Sequence, residues 1–189
     1  MIERKLKYGN WEKRLTNFTI ISRKYLLLFG LASVLSFNAC AQKKVESGAY
    51  NTMLKILLKH DVPEIGAAEA YKNAVEYIFL DSRERKEFNV SHISGAVWIG
   101  YDDFEITQVK RIPKNKKIIV YCSVGARSEK ISDKLIANGF KDVSNMYGGI
   151  FEWVNRNYPV YTNQNKPTKK VHAYNRGWGI WLRNAEKVY

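Results

Sequence analysis

The segment Lys117-Ile118-Ile119-Val120-Tyr121 and the loop Cys122-Ser123-Val124-Gly125-Ala126-Arg127-Ser128 that follows it constrain this chain more than any other stretch. Its continuous apolar, largely β-branched character predicts a strand buried on both faces. A turn over Pro113 to Lys116 precedes it. Ser128 to Asn138 then place Ile131, Leu135 and Ile136 on one face of an amphipathic helix, with Gly139 as its natural stop. A buried strand feeding a helix through a short loop is the repeating unit of a parallel sheet.

The rest of the chain has the same alternation. Tyr50, Met53, Leu54, Leu57 and Leu58 recur at helical spacing, with Asn51 as the expected cap and an end near His60, before Pro63. Ala67 to Ala74 read as a short helix, Tyr77 to Leu80 as a strand ending at Asp81, and Arg83 to Phe88 as a helical turn. Ala96 to Ile99 and Val143 to Met146 read as further strands, Gly148-Gly149 as a turn, and Ile150 to Asn155 as a last helix. The expected fold is α/β, a parallel sheet with helices on both faces. The tail from Thr162 to Tyr189 is aromatic and basic and has no clear period.

Composition excludes several classes. With 46% apolar and 13% aromatic residues, the net charge of +13 does not describe a disordered polycation. Residues 1–40 hold seven of the 31 basic side chains and two of the 18 acidic ones, and the basic excess beyond them is scattered. No basic helix or aromatic stripe tracks a phosphate backbone, so nucleic acid is not an expected partner. Two cysteines cannot form a disulfide framework. His60, His92 and His172 show no ligand spacing, so a metal is not expected, and nothing in the sequence requires an organic cofactor.

In parallel sheets ligand sites form beyond the carboxyl ends of strands, where Cys122 lies. A loop that ends at a helix N-terminus presents unpaired N–H groups, and Gly125 allows several of them to face one point. Such a cradle favours the thiolate of Cys122, and Arg127 adds a positive charge. It suits a persulfide sulfur or an oxyanion.

The loop resembles the active-site loop of single-domain rhodaneses, sulfurtransferases whose nucleophilic cysteine opens a six-residue loop. Leu80-Asp81-Ser82-Arg83, Glu87-Phe88 and Ser91-His92-Ile93-Ser94-Gly95-Ala96 resemble a second family block, with Ser91 where glycine is usual. Asn145-Met146-Tyr147-Gly148-Gly149-Ile150 with Trp153 resemble its closing block. The likeness spans about residues 63–160 and implies the rhodanese-like fold and a ping-pong sulfur transfer through a Cys122 persulfide, from a small donor such as thiosulfate to a thiol or cyanide. It implies catalytic roles for Cys122 and Arg127, and a binding loop of Ser123, Val124, Gly125, Ala126 and Ser128. Asp81 and Arg83 are expected to brace that loop, His92 to pack, and Ser128 to serve substrate or the helix N-terminus. Four residues between cysteine and arginine, rather than the five of cysteine-dependent phosphatases, favour sulfur over phosphate or arsenate. A non-catalytic binding module of the same fold is the rival expectation. Trp178 and Trp181, outside the resemblance, are expected to pack over the domain, with a lid as the alternative.

Tyr25 to Ala39 form an uncharged apolar run after Arg23 and Lys24 that ends at Cys40. It is short for a membrane span and suits a signal-peptide core. Leu35 to Cys40 resemble a bacterial lipobox, although Phe37 and Asn38 depart from it. The expected organisation is a signal peptide over 1–40 cleaved before an acylated Cys40, a tether and helix over 41–62, the rhodanese domain over 63–160 and an extension over 161–189. The expected location is a bacterial membrane, the outer one by preference because Ala41 is not aspartate, facing periplasm or cell surface.

Overall fold

Strands β1 (Glu64–Gly66), β2 (Ile78–Asp81), β3 (Val97–Trp98), β4 (Lys117–Tyr121) and β5 (Asp142–Tyr147) pair in parallel, in the order β1-β5-β4-β2-β3. The structure is a computed structural model that describes residues 44–189. The signal core and Cys40 lie outside the described residues. Helices α1 (Gly48–Leu57), α2 (Ala67–Lys72), α3 (Arg85–Val90), α4 (Ala126–Ala137), α5 (Gly149–Asn155) and α6 (Arg176–Gly179) complete the frame. The tail adds an antiparallel pair, β6 (Val160–Tyr161) with β7 (Pro167–Thr168), and a parallel pair, β8 (Lys170–His172) with β9 (Glu186–Val188).

Alternation along β4 divides the core. Ile118 and Val120 pack with Leu80, Ile131, Leu135 and Val143 on one face. Ile119 and Tyr121 turn the other way, toward Tyr50, Leu54, Met146, Phe151 and Trp153. Both sets are buried, as a strand covered on two faces requires. The sheet therefore holds the end of β4 firmly, with Cys122 at its tip.

Some boundaries differ from the sequence reading for local reasons. Helix α1 starts earlier, because the Ser47 hydroxyl accepts the Tyr50 N–H at 3.3 Å. Asn51 lies inside the helix instead, accepting from the Tyr147 hydroxyl at 3.0 Å. The helix stops at Leu57, since Leu58 is extended and His60 is left-handed with φ 62°. Helix α4 starts at Ala126, two residues before the expected Ser128, because left-handed Gly125 (φ 117°) turns the chain into it. Strand β1 was not anticipated: it is three residues long and exists by pairing with β5.

The segments outside the resemblance are tied to the sheet layer. The Tyr50 hydroxyl donates to the Gly148 carbonyl at 2.8 Å, and its ring stacks on Trp181 with centroids 5.3 Å apart. Asn155, at the end of α5, donates from Nδ2 to the Trp181 carbonyl at 2.8 Å. Its Oδ1 accepts the N–H groups of Arg183 at 2.7 Å and Asn184 at 3.3 Å.

Candidate active site

Cys122 is a free thiol, 1% exposed, and the one cysteine among the described residues. The Gly125 N–H donates to its Sγ at 3.1 Å. Gly125 can do this because its φ of 117° is open to glycine and strained for any other residue. The opposite side of the loop is held by α5. Ile150 and Phe151 donate their N–H groups to the carbonyls of Cys122 and Ser123, at 2.9 and 3.1 Å. Gly148 (φ 84°) and Gly149 (φ 55°) permit that approach, since a Cβ on Gly149 would land on those two carbonyl oxygens. With its carbonyls turned outward to α5, the loop keeps N–H groups on the sulfur side.

Ser128 directs its hydroxyl to Asn145 Oδ1 (2.6 Å) and the Gly125 carbonyl (3.1 Å), and Asn145 Nδ2 donates to that same carbonyl at 3.1 Å. Of the two hydroxyls expected at the loop, Ser128 is buried as a positioning group. Ser123 belongs to a charged cluster. Its Oγ donates to Glu87 Oε1 and accepts from Arg127 Nη2, both at 3.0 Å.

Glu87 is the residue that sequence reasoning missed. Arg127 grips it with two nitrogens, at 2.7 and 2.9 Å, in the fork geometry that guanidinium and carboxylate favour. The Glu84 N–H donates to its Oε2 at 2.9 Å. The signal available was its place three residues after Glu84 at the start of α3, but its partner is 40 positions away in the chain. Burial pushes the Glu87 carboxyl up, yet Arg127, Arg83 and the Glu84 N–H outweigh it and hold it below the ordinary range. Burial likewise raises the Cys122 thiol. The charge of Arg127 and the hydrogen bonds from Ser128 and Gly125 more than offset this, leaving it below an ordinary cysteine.

Asp81 and Arg83 lie one layer behind. Arg83 is fully buried, with Nη2 on Asp81 Oδ2 at 2.6 Å and on the Ser91 carbonyl at 2.7 Å. Ser82 donates its N–H to the Tyr121 carbonyl at 2.9 Å, so this block meets the end of β4 immediately before Cys122. His92 stacks on Phe88 with centroids 3.9 Å apart.

The tail supplies the rest. Tyr174 and Trp178 line a cavity of about 150 Å³ together with Cys122, Ser123, Val124, Ala126 and Arg127. Tyr174 is left-handed (φ 65°), and its N–H donates to His172 Nδ1 at 3.0 Å. Its ring lies 5.0 Å from the Arg127 guanidinium. Asn175 caps α6 by accepting the Trp178 N–H at 3.0 Å. The two tryptophans thus divide their roles: Trp181 packs on Tyr50, whereas Trp178 faces the cysteine cavity. Among the described residues, no group of three or more His, Cys, Asp or Glu side chains is arranged to hold a metal ion.

Such an arrangement can hold a thiolate, or a sulfur bonded to it, against the Gly125 N–H in a small cavity lined by Arg127. Comparison with known proteins agrees in fold. The rhodanese-like domain family matches residues 66–156. The tRNA uridine(34) hydroxylase of Bacillus pumilus is 33% identical over 124 residues, which are 58% of this chain and 38% of that protein. Its counterpart from Sodalis glossinidius is 37% identical over 84 residues, 42% of this chain and 24% of the relative. The chain spans well under half the length of these curated relatives. A crystal structure of a Bacillus halodurans protein superposes with a TM-score of 0.50 at 28% identity, covering 60% of this chain and 84% of the other. Thiosulfate sulfurtransferase from Pseudomonas aeruginosa shares the fold at a TM-score of 0.51 and 17% identity, over 62% of this chain and 23% of that one. The five-stranded parallel sheet, the loop at its centre and the matched span together make residues 66–156 a rhodanese-like domain.

Proposed function

We propose that the chain is a sulfurtransferase that moves sulfane sulfur through a Cys122 persulfide. The observation that carries this reading is the Gly125 N–H on Cys122 Sγ at 3.1 Å, with Arg127 lining the same cavity, groups that favour the thiolate. The thiolate attacks the outer sulfur of a donor and expels the remainder, and the persulfide then passes its sulfur to a thiol or to cyanide. Gly125 holds the attacking sulfur. Arg127 supplies charge from the cavity wall while Glu87 fixes its orientation. Incubation with thiosulfate or an organic persulfide, followed by mass spectrometry, is expected to find one added sulfur on Cys122. Cys122→Ser is expected to abolish both the adduct and cyanide-dependent turnover. A wild-type protein that stays unloaded while a control rhodanese loads would favour a binding module, and turnover of a phosphoester or arsenate would favour oxyanion chemistry.

A second reading comes from the curated relatives, which are named for hydroxylation of tRNA uridine 34, and from the alignment to one of them over 124 residues, longer than the domain itself. Loss of the modified uridine from tRNA in cells lacking this chain would support it and would overturn the exported location proposed next. For the amino-terminal segment, acylation of Cys40 and anchoring at the outer membrane is the proposal. Metabolic labelling with palmitate, lost in Cys40→Ala, tests it.

A further inference from the structure

Beside Cys122 the cavity is lined by Tyr174 and Trp178, two residues that lie beyond the matched span of 66–156. Arg127 in its wall is bonded through two nitrogens to Glu87 and also favours the Cys122 thiolate, so this one charge is already shared between two anions. A doubly charged inorganic donor gains little there. Tyr174 and Arg127 also border a second, open groove of about 990 Å³ outside this cavity. That groove is cationic in character: Arg85, Lys86 and Lys130 line it, against the two carboxylates Glu84 and Asp102. Arg85 is fixed in place by its guanidinium 3.6 Å over the Trp98 ring.

We infer that this is a two-part site for an organic sulfur compound. The slim sulfur-bearing arm enters the cavity past Tyr174 and Trp178, and a carboxylate-bearing body rests in the outer groove against Arg85, Lys86 and Lys130. Tyr174, at the junction, is the specificity-determining residue. The inference rests on the sulfur-transfer reading above and names its substrate class. A cysteine on a folded partner suits the site less well, because its short side chain would have to carry the partner's backbone between the two rings to reach a 1% exposed thiol. In the loading step the Cys122 thiolate attacks the outer sulfur of R–S–SH. A new S–S bond forms, the old one breaks, and R–S⁻ leaves with the electron pair, so no external oxidant or reductant takes part.

The test loads the full chain with the persulfides of 3-mercaptopropionate and 2-mercaptoethanol, which differ in a carboxylate, and with glutathione persulfide as a bulky probe. Wild type is expected to load the carboxylate compound about fivefold faster by kcat/KM, the ratio that one exposed charge pair supplies. Lys86→Glu/Lys130→Glu is expected to bring that ratio to about one or below. Tyr174→Ala is expected to raise loading by the bulky probe relative to the small ones, whereas Tyr174→Phe keeps the wild-type ranking. Equal loading by the two small persulfides, or a ratio indifferent to the double charge reversal, overturns the two-part site while leaving sulfur transfer standing. An unchanged ranking in Tyr174→Ala overturns the gate. Loading by none of the three compounds overturns both this inference and the reading beneath it.

Discussion

The loops after β4 and β5 are built alike and do opposite work. Each strand leads to a left-handed glycine, Gly125 four residues after β4 or Gly148 directly after β5, that starts a helix without a side-chain cap. Each helix thus begins with N–H groups aimed beyond the sheet. At α4 the Gly125 N–H meets the sulfur of Cys122, and the neighbouring Glu87 is paired with Arg127. At α5 the donors meet the carbonyls of Cys122 and Ser123, and the neighbouring Glu152 holds the tether. A helix N-terminus becomes a reactive site only where its donors are left for something other than backbone. Here the second junction occupies its own donors to free those of the first.

The two carboxylates sharpen the contrast. Glu87 has an acceptor role at every turn and is held below its usual range, chiefly against burial by Arg127. Glu152 is also fully buried, yet burial wins and raises its carboxyl, although Oε1 accepts from the Glu46 N–H at 2.9 Å and from Arg156 Nε at 2.8 Å. Its Oε2 finds no hydrogen-bond partner among the described residues.

The largest way to break the comparison is Gly149→Ala, whose Cβ meets the carbonyls of Cys122 and Ser123. A loss of about 4 kcal/mol or more in urea unfolding is expected, because backbone cannot move aside as a flexible side chain can. Next, Glu87→Gln leaves the half-buried Arg127 with only Glu84, 3.8 Å away, as an anionic neighbour, and a loss of about 3 kcal/mol is expected by the same measurement. The wild-type pair also predicts a pH dependence. Because the folded-state pKa of Glu87 is depressed, its contribution is full above the unfolded value and is lost as pH falls through the folded one. Unfolding series from pH 7 down to about pH 3 should show this acid-limb loss shrinking in Glu87→Gln.

Gly125→Ala comes third. Its neighbours lie at ordinary contact distances, so the cost comes from φ 117° alone and should be about 1–3 kcal/mol. It should also displace the N–H from Sγ, moving the pH midpoint of iodoacetamide alkylation upward; an unmoved midpoint would mean that the loop does not tune the thiol. The smallest effect belongs to Glu152→Gln, expected within about 1 kcal/mol of wild type at neutral pH because the amide keeps an acceptor and relieves a buried charge. Its sign is opposite to that of Glu87: a raised folded-state pKa means the wild-type penalty is present at high pH and lifts as pH falls through that value. If Glu152→Gln cost as much as Glu87→Gln, the two junctions would not differ as argued.

What the sequence made legible follows from range. β4, its loop and α4 are written in contiguous residues, as an apolar run, a glycine and a helical period, and the strand bounds agree to the residue. Gly148-Gly149 were legible as a turn, but their purpose depends on the approach of α5 to Cys122, which no local pattern encodes. The Arg127–Glu87 pair joins residues 40 apart for the same reason. The tail shows no clear period because its order comes from pairings distant in the chain: β8 pairs with β9 across 14 residues or more, and Asn155 holds Trp181, Arg183 and Asn184.

Asn155 belongs to α5, the helix whose first turn grips the cysteine loop from beneath. One short rod therefore carries the floor of the sulfur cavity at its first turn and, at its last, anchors the segment that follows Trp178 in the chain. The aperture above Cys122 is set like the jaws of a caliper on a common beam, so a tilt of α5 changes the fit of a substrate and the posture of the nucleophile together.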